Sequence, residues 1–496
     1  MASCGTAPNP DCRSFAAGDL VLSCDPFVWA LESSAYKTRC AYCLQDSQEL
    51  RLCSGCKLHR YCSFACQAAD WKLEHKLECG MLKDLRTELD METAPAPVVN
   101  HNYPIPVVLV PKMINKISCS TMVDVPGKGR HSAQEFVEKI LPQDPLRLEK
   151  ERQFQPMSSP ALKPEVGPAE MDTLPYEKAV VDNARPMFHT ISSNAPIGFA
   201  VYPVTPRHHM TPVCWDVNVV INFRGRRMFI HATEDIPVYT GLKDLRFSGI
   251  RQQYFLTRDR RRAFFEKMHG FPCTCRKCTE EYDAEINPLK CVTAGCSNRI
   301  PSDERALDPC TACGAVNGKR LKEFRRFVQR HQAMPPNSPT DPRTLALCQQ
   351  LDAAGILQPD AHFRLVCGWE LPRKYFNEDR FEEGWKMMQE MIQCVLAIYP
   401  QYEEYRAVLL TLAATSATFA LEKHVLDGIE KLSVSEKKRR ATLSTAGFGV
   451  ICDYCLKAIN IMIVIYGEAS HEVKTAVDLC EHIMNYAPIV TDKLAS

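Results

Sequence analysis

Residues 40 to 79, CAYCLQDSQELRLCSGCKLHRYCSFACQAADWKLEHKLEC, carry eight donors in four pairs: Cys40 and Cys43, Cys53 and Cys56, Cys62 and Cys66, His75 and Cys79. Eight donors make two tetrahedral zinc sites. A CxxC pair bends the backbone so that both sulfurs reach one ion at about 2.3 Å, and donors four apart share one helical face. A segment this short cannot bury a core of its own, so the metal supplies its folding free energy. Further on, CTCRKC places Cys273, Cys275 and Cys278 within six residues, one donor short of a site. LKCVTAGCSNRIPSDERALDPCTACG then adds Cys291, Cys296, Cys310 and Cys313, a looser pair followed by a CxxC, as in a zinc ribbon.

The chain has 496 residues, enough for several domains, and 25 cysteines. Thiols crowded at short fixed intervals in a reducing compartment are metal ligands rather than disulfides. Lys and Arg total 60 against 59 Asp and Glu, a net charge of +1, so neither a basic stripe nor an aromatic platform points to nucleic acid. The start, MASCGTAPNPDCRSF, has no basic or apolar run, and INIMIVIYG falls short of the roughly 20 residues that span a bilayer. These features predict a soluble, intracellular monomer of the nucleus or cytoplasm, with protein partners and no membrane.

Several elements must position the donors. SFAAGDLVLSCDPFVWAL, residues 14 to 31, reads as a β-hairpin feeding a strand. Residues 81 to 140 mix helical stretches such as SAQEFVEKIL with proline-broken ones such as PIPVVLVPKMINKI, and residues 141 to 176 read as a Pro-rich linker. Short strands follow in DVNVVINF, RRMFIHATED and DLRFSGI. From about residue 320 the period becomes helical, in FEEGWKMMQEMIQCVLAIYP, EEYRAVLLTLAATSATFALEKHVLDGI, GFGVICDYCLKAINIMIVIYG and HEVKTAVDLCEHIMNY. Their lengths suit antiparallel pairs in a TPR-like array, with Cys348, Cys367, Cys394, Cys452, Cys455 and Cys480 as core thiols.

The eight-donor block, with RYC at Arg60 to Cys62, Gln67, Trp71 and the closing HKLEC, resembles the MYND finger. The resemblance implies interleaved pairs: Cys40, Cys43, Cys62 and Cys66 on one zinc, Cys53, Cys56, His75 and Cys79 on the other. It also implies a module that takes proline-rich peptides. FHTISSNAPIGFAVYP, RRMFIHATEDIPVYTG and CTCRKC look like the second half of a SET domain and its post-SET tail. A SET domain split by a MYND finger is the arrangement of the SMYD family of protein-lysine methyltransferases. The fold implied is an α+β multidomain chain: 1–36, first part of a SET-like domain; 37–80, MYND finger; 81–186, helical insert and linker; 187–258, second part of the SET-like domain; 259–318, post-SET segment and ribbon; 319–496, TPR-like helices.

In that family the tail takes its fourth ligand from an NHxCxPN motif. The matching stretch here is PVCWDVN, residues 212 to 218, with Trp215 where the cysteine would stand, which makes Cys214 the ligand. One residue of shift turns a strand side chain to the opposite face, so Cys214 needs a bulge or loop. Asn218 and Asn194 match cofactor-contacting positions and Phe271 an adenine-facing aromatic, all as the resemblance implies. Much else departs from the pattern. GTAPNPDCRSF lacks the GxG loop, Pro212 and Val213 replace an Asn and a His, and Gly249 and His269 stand in place of two tyrosines, leaving Tyr254 and His269 as weak catalytic candidates. The expectation is a zinc-dependent interaction adaptor with an eroded catalytic site, and the alternative is an S-adenosylmethionine-dependent lysine methyltransferase.

Overall fold

A computed structural model describes residues 13–88, 98–100, 103–105, 109–126, 129–141, 180, 185–187, 197–204, 210–248, 256–279, 282–334, 342–426, 433–468 and 470–495. The chain divides into two units, Leu20–Met210 with Ile221–Ile230, and Met1–Asp19 with Thr211–Val220 and His231–Ser496. The 141–176 linker lies almost wholly outside the described residues.

In the unit that holds the finger, Val28–Leu31 pairs antiparallel with Gly198–Val201, which pairs in turn with Arg185–Met187. VWAL and GFAV are buried at every position, as suits a strand covered on both faces. Leu20–Cys24 lies beside Arg227–Ala232. The expected hairpin within residues 14 to 31 therefore does not form. Gly18 does turn the chain at φ 94°, but Arg13–Phe15 pairs with Ile236–Tyr239 and each later strand has its own distant partner. The finger runs into helices Phe64–Asp70 and Lys76–Glu88, joined by a π-helical turn at Trp71–His75. PIPVVLVPKMINKI is also less broken than expected, since Leu109–Ser118 is a helix with Pro111 in its first turn, where no intrahelical N–H is lost.

In the other unit, Thr211–Pro212 pairs in parallel with Arg246–Phe247, and helix Arg258–His269 ends at Gly270, φ 78°. The ribbon strands Leu289–Lys290 and Arg299–Ile300 pair antiparallel, and helices follow to the C-terminal end. The last four, Phe381–Ile398, Glu404–Leu426, Val434–Tyr466 and His471–Ala495, run 18, 23, 33 and 25 residues. They share a core built from Ile392, Leu410, Leu421, Phe448, Ile451, Ile465 and Ile483. Val434–Tyr466 corrects the expectation that no segment has the length for a bilayer. By length and composition it can cross one, and 44% of its most apolar window is buried inside the protein.

Candidate metal centres

The finger's local turns aim its thiols. At Cys40 to Cys43, the Leu44 N–H donates to the Cys40 carbonyl at 3.0 Å with Leu44 at φ 62°; at Cys53 to Cys56, the Lys57 N–H donates to the Cys53 carbonyl at 3.1 Å with Lys57 at φ 56°. Each turn folds two thiols to one side. Ser63 caps the next helix by accepting from the Cys66 N–H, and the helix carries Cys66 over the Cys62 thiol at 3.5 Å. The structure brings together Cys40, Cys43, Cys62 and Cys66, and separately Cys53, Cys56, His75 and Cys79, with all donors of a group within 4.8 Å of one another. Tetrahedral zinc with bonds of about 2.3 Å needs sulfur–sulfur edges of about 3.8 Å. Cys43 to Cys62 is 3.7 Å, Cys53 to Cys79 is 3.8 Å, and His75 Nε2 lies 3.3 Å from Cys53 and 3.7 Å from Cys56. The donor sets fit the ion. Burial first, then the neighbouring His59, pushes His75 down to about 4, so the ring stays neutral as a ligand must. His59 stacks on it at 4.7 Å.

The finger helices also bury a row of carboxylates that sequence reasoning missed. Asp70, Glu74 and Glu78, four residues apart, face Lys112, Lys116 and Arg226, and all six are at most 9% exposed. Lys112 reaches Glu78 at 2.8 Å, Lys116 reaches Glu74 at 2.8 Å, and Arg226 lies 3.4 Å from both Asp70 and Glu74. Trp29 donates its indole N–H to Glu74, with Lys112 and Arg226 over its ring at 5.0 and 5.2 Å. Three acidic side chains face three basic ones, and burial raises Glu78 against the pull of Lys112. Burial alone would raise Glu74, but Lys116, Lys112 and Arg226 hold it at about 2; burial would lower Lys112, but Glu78 and Glu74 lift it to about 12. The spacing of Lys112 and Lys116, matched to 70, 74 and 78, was the available signal.

The structure brings Cys214 to the three thiols of CTCRKC, a set of four that could hold a metal ion. The Cys214 sulfur lies 3.1 Å from Cys278 and 3.9 Å from Cys275, its N–H donates to Cys273 at 3.3 Å, and all four thiols are buried. The strand stops at Pro212, and a bend at Cys214 supplies the turn that the one-residue shift demanded. Trp215 is fully buried with the Arg261 guanidinium 3.9 Å from its ring and His362 at 4.9 Å. Mutual thiol hydrogen bonds, that from Cys214 first, draw Cys275 far below the ordinary thiol range. Cys291, Cys296, Cys310 and Cys313 also come together within 4.8 Å.

The cofactor candidates are placed less favourably. Asn194 and Tyr254 lie outside the described residues. Asn218, 3% exposed, accepts from the Arg246 N–H through Oδ1 at 2.6 Å and donates to the Asp244 carbonyl at 3.0 Å. Its amide is engaged at both ends by backbone. His269 packs 4.4 Å from Phe265 and 5.9 Å from Phe271, which is half exposed.

Residues 40–79 match the MYND finger family. Among curated proteins, the N-lysine methyltransferase SMYD2-B of Xenopus laevis is 37% identical over 70 residues, 14% of this chain and 16% of its own length. The SET domain-containing protein 14 of Caenorhabditis elegans is 44% identical over 57 residues, 12% of this chain and 13% of its own. A longer match, 22% identical over 278 residues, joins 54% of this chain to 58% of the human histone-lysine N-methyltransferase SMYD3. The chain thus spans less than two thirds of each, and the stronger likeness is confined to short stretches.

Proposed function

We propose that this chain, a divergent relative of the SET and MYND domain-containing proteins, is a zinc-stabilised adaptor that engages protein partners and does not transfer methyl groups. Asn218 carries the reading: the side chain matched to a cofactor contact bonds the backbone of Asp244 and Arg246 instead. Pro212 and Val213 bring no polar side chain, and Gly249 brings no hydroxyl. Methyl transfer to lysine needs a seated sulfonium and an amine deprotonated from its usual pKa of about 10.4. Each positioning bond lost from such a site commonly costs ~10² to 10³ in rate. The finger meanwhile keeps Phe64, Trp71, Leu73 and Leu77 exposed, at 79%, 43%, 59% and 48%, an apolar surface suited to a proline-rich peptide. The split SET-like core and TPR-like array belong to the same proposal.

Calorimetry of the full zinc-loaded chain with S-adenosylmethionine is expected to give no saturable heat. A one-site isotherm, together with methylation of lysine peptides, overturns the adaptor. Such a result favours the second reading, a lysine methyltransferase with His269, which lies beside Phe271, near the reacting amine.

A further inference from the structure

We infer that Cys291, Cys296, Cys310 and Cys313 hold a structural zinc ion of their own, and that this ion fastens the ribbon as a cap on the first helices of the C-terminal array. The argument rests on a comparison inside the chain. In the finger, the Cys40 N–H donates to the Gln45 carbonyl and the Leu44 N–H to the Cys40 carbonyl, both at 3.0 Å. In the ribbon, the Cys310 N–H donates to the Ala315 carbonyl at 2.9 Å and the Gly314 N–H to the Cys310 carbonyl at 2.7 Å. Leu44 and Gly314 both take left-handed backbone, φ 62° and 75°, and each turn is closed by one bridge, Arg39 to Asp46 and Pro309 to Val316. The two turns are the same device.

The sulfurs are solvated alike as well. Cys40, Cys43, Cys53 and Cys56 accept from the amides of Tyr42, Gln45, Gly55 and Leu58, each two residues on. Cys291, Cys296 and Cys310 accept from Thr293, Asn298 and Ala312, again two residues on. Amides aimed at sulfur offset the negative charge of a metal-bound thiolate. The Asn298 side chain adds a further donor to Cys310 at 3.2 Å. Cys296 to Cys310 at 3.8 Å matches the edge of a zinc tetrahedron near 3.8 Å, and Cys291 to Cys313 at 3.5 Å falls just below it. Four protein ligands leave no position for substrate, so the ion is structural.

Its task follows from how little else holds the ribbon. Two strands of two residues are far from self-sufficient. The ribbon docks by backbone bonds, Lys290 to Ile356 at 2.8 Å and Gln358 to Pro288 at 2.9 Å. Asn287 accepts from the Phe363 N–H at 2.6 Å. Leu289, Ile300 and Ala306 share a core with Leu321, Phe324, Leu351 and Leu357. Stacked helices need a terminal unit that covers the first apolar face, and the metal keeps this one folded.

The test is native mass spectrometry of the full zinc-loaded chain, paired with mapped alkylation of its cysteines. Cys313→Ser is expected to carry one zinc fewer than the parent. In the parent, Cys313, although solvent-exposed, should resist iodoacetamide until a chelator is added. Hydrogen exchange in 342–368 should rise in the variant. Equal zinc content in parent and variant overturns the site, as does ready alkylation of these four thiols in the zinc-loaded parent or a disulfide among them. Should the variant fail to fold, alkylation of the parent decides alone.

Discussion

The finger at 40–79 and the ribbon at 289–317 use one kind of turn to gather thiols, yet each is joined to its own unit by different forces. The finger's helices are fixed through six buried charges around Trp29. The ribbon is fixed through backbone hydrogen bonds and an apolar core. A knuckle is therefore a local solution, legible wherever it occurs, whereas its attachment is a separate problem that the surrounding residues solve. Charges buried in mutual contact make the finger's seat unforgiving, because removing one leaves its partner uncompensated away from water. An apolar seat loses contacts one by one.

The largest effect that can break this contrast is metal removal. Structural zinc contributes an apparent ~10–16 kcal/mol to small metal-built folds. Chelation should abolish amide protection across 40–79 while the ion row stays intact in sequence. If protection persists, the six charges and not the metal hold the finger. Next comes Glu74→Gln, expected to cost ~3–5 kcal/mol by stranding Lys116 and Arg226. Glu74 is held at about 2, below its ordinary 4.5, so its contribution is complete above pH 4.5 and declines as pH falls toward 2. The variant should show its loss in denaturant titrations at neutral pH, where the thiolates keep the metal, and an unchanged midpoint removes Glu74 from the account. The smallest effect belongs to the ribbon. Asn317, fully buried, accepts from the Val292 N–H at 2.8 Å and donates to the Ala315 carbonyl at 3.1 Å. Asn317→Ala should cost ~1–3 kcal/mol in denaturant titrations, less than Glu74→Gln. The reverse order would mean that the ribbon depends on polar contacts more than the finger does.

The donor sets were legible because ligand spacing is a local property. Cys214 was reached only through the resemblance, which matches PVCWDVN to the family motif, and the structure brings it to Cys273, Cys275 and Cys278. Strand partners were not legible. Gly18 marks a turn, but nothing between residues 14 and 31 records that Leu20–Cys24 lies beside Arg227–Ala232. Asp70, Glu74 and Glu78 drew no notice in the sequence, since burial of a charge depends on partners far along the chain. The start of helix Val434–Tyr466 was readable and missed. Ser433 stands three residues before Glu436 and accepts from its N–H, a capping pattern, but the apolar run after Gly447 drew the boundary too late.

Pairing across long stretches of chain has a consequence during synthesis. Val28–Leu31 finds Gly198–Val201 only after about 170 further residues are made, some 10 to 30 s at ribosomal rates of about 5–20 residues/s. The thiols of 40–79 emerge almost at once and can capture their ions while those first strands still wait. Nascent chains starved of zinc would then present loose cysteines and unclaimed strand edges together, and the yield of folded protein should follow the metal supply of the cell that makes it.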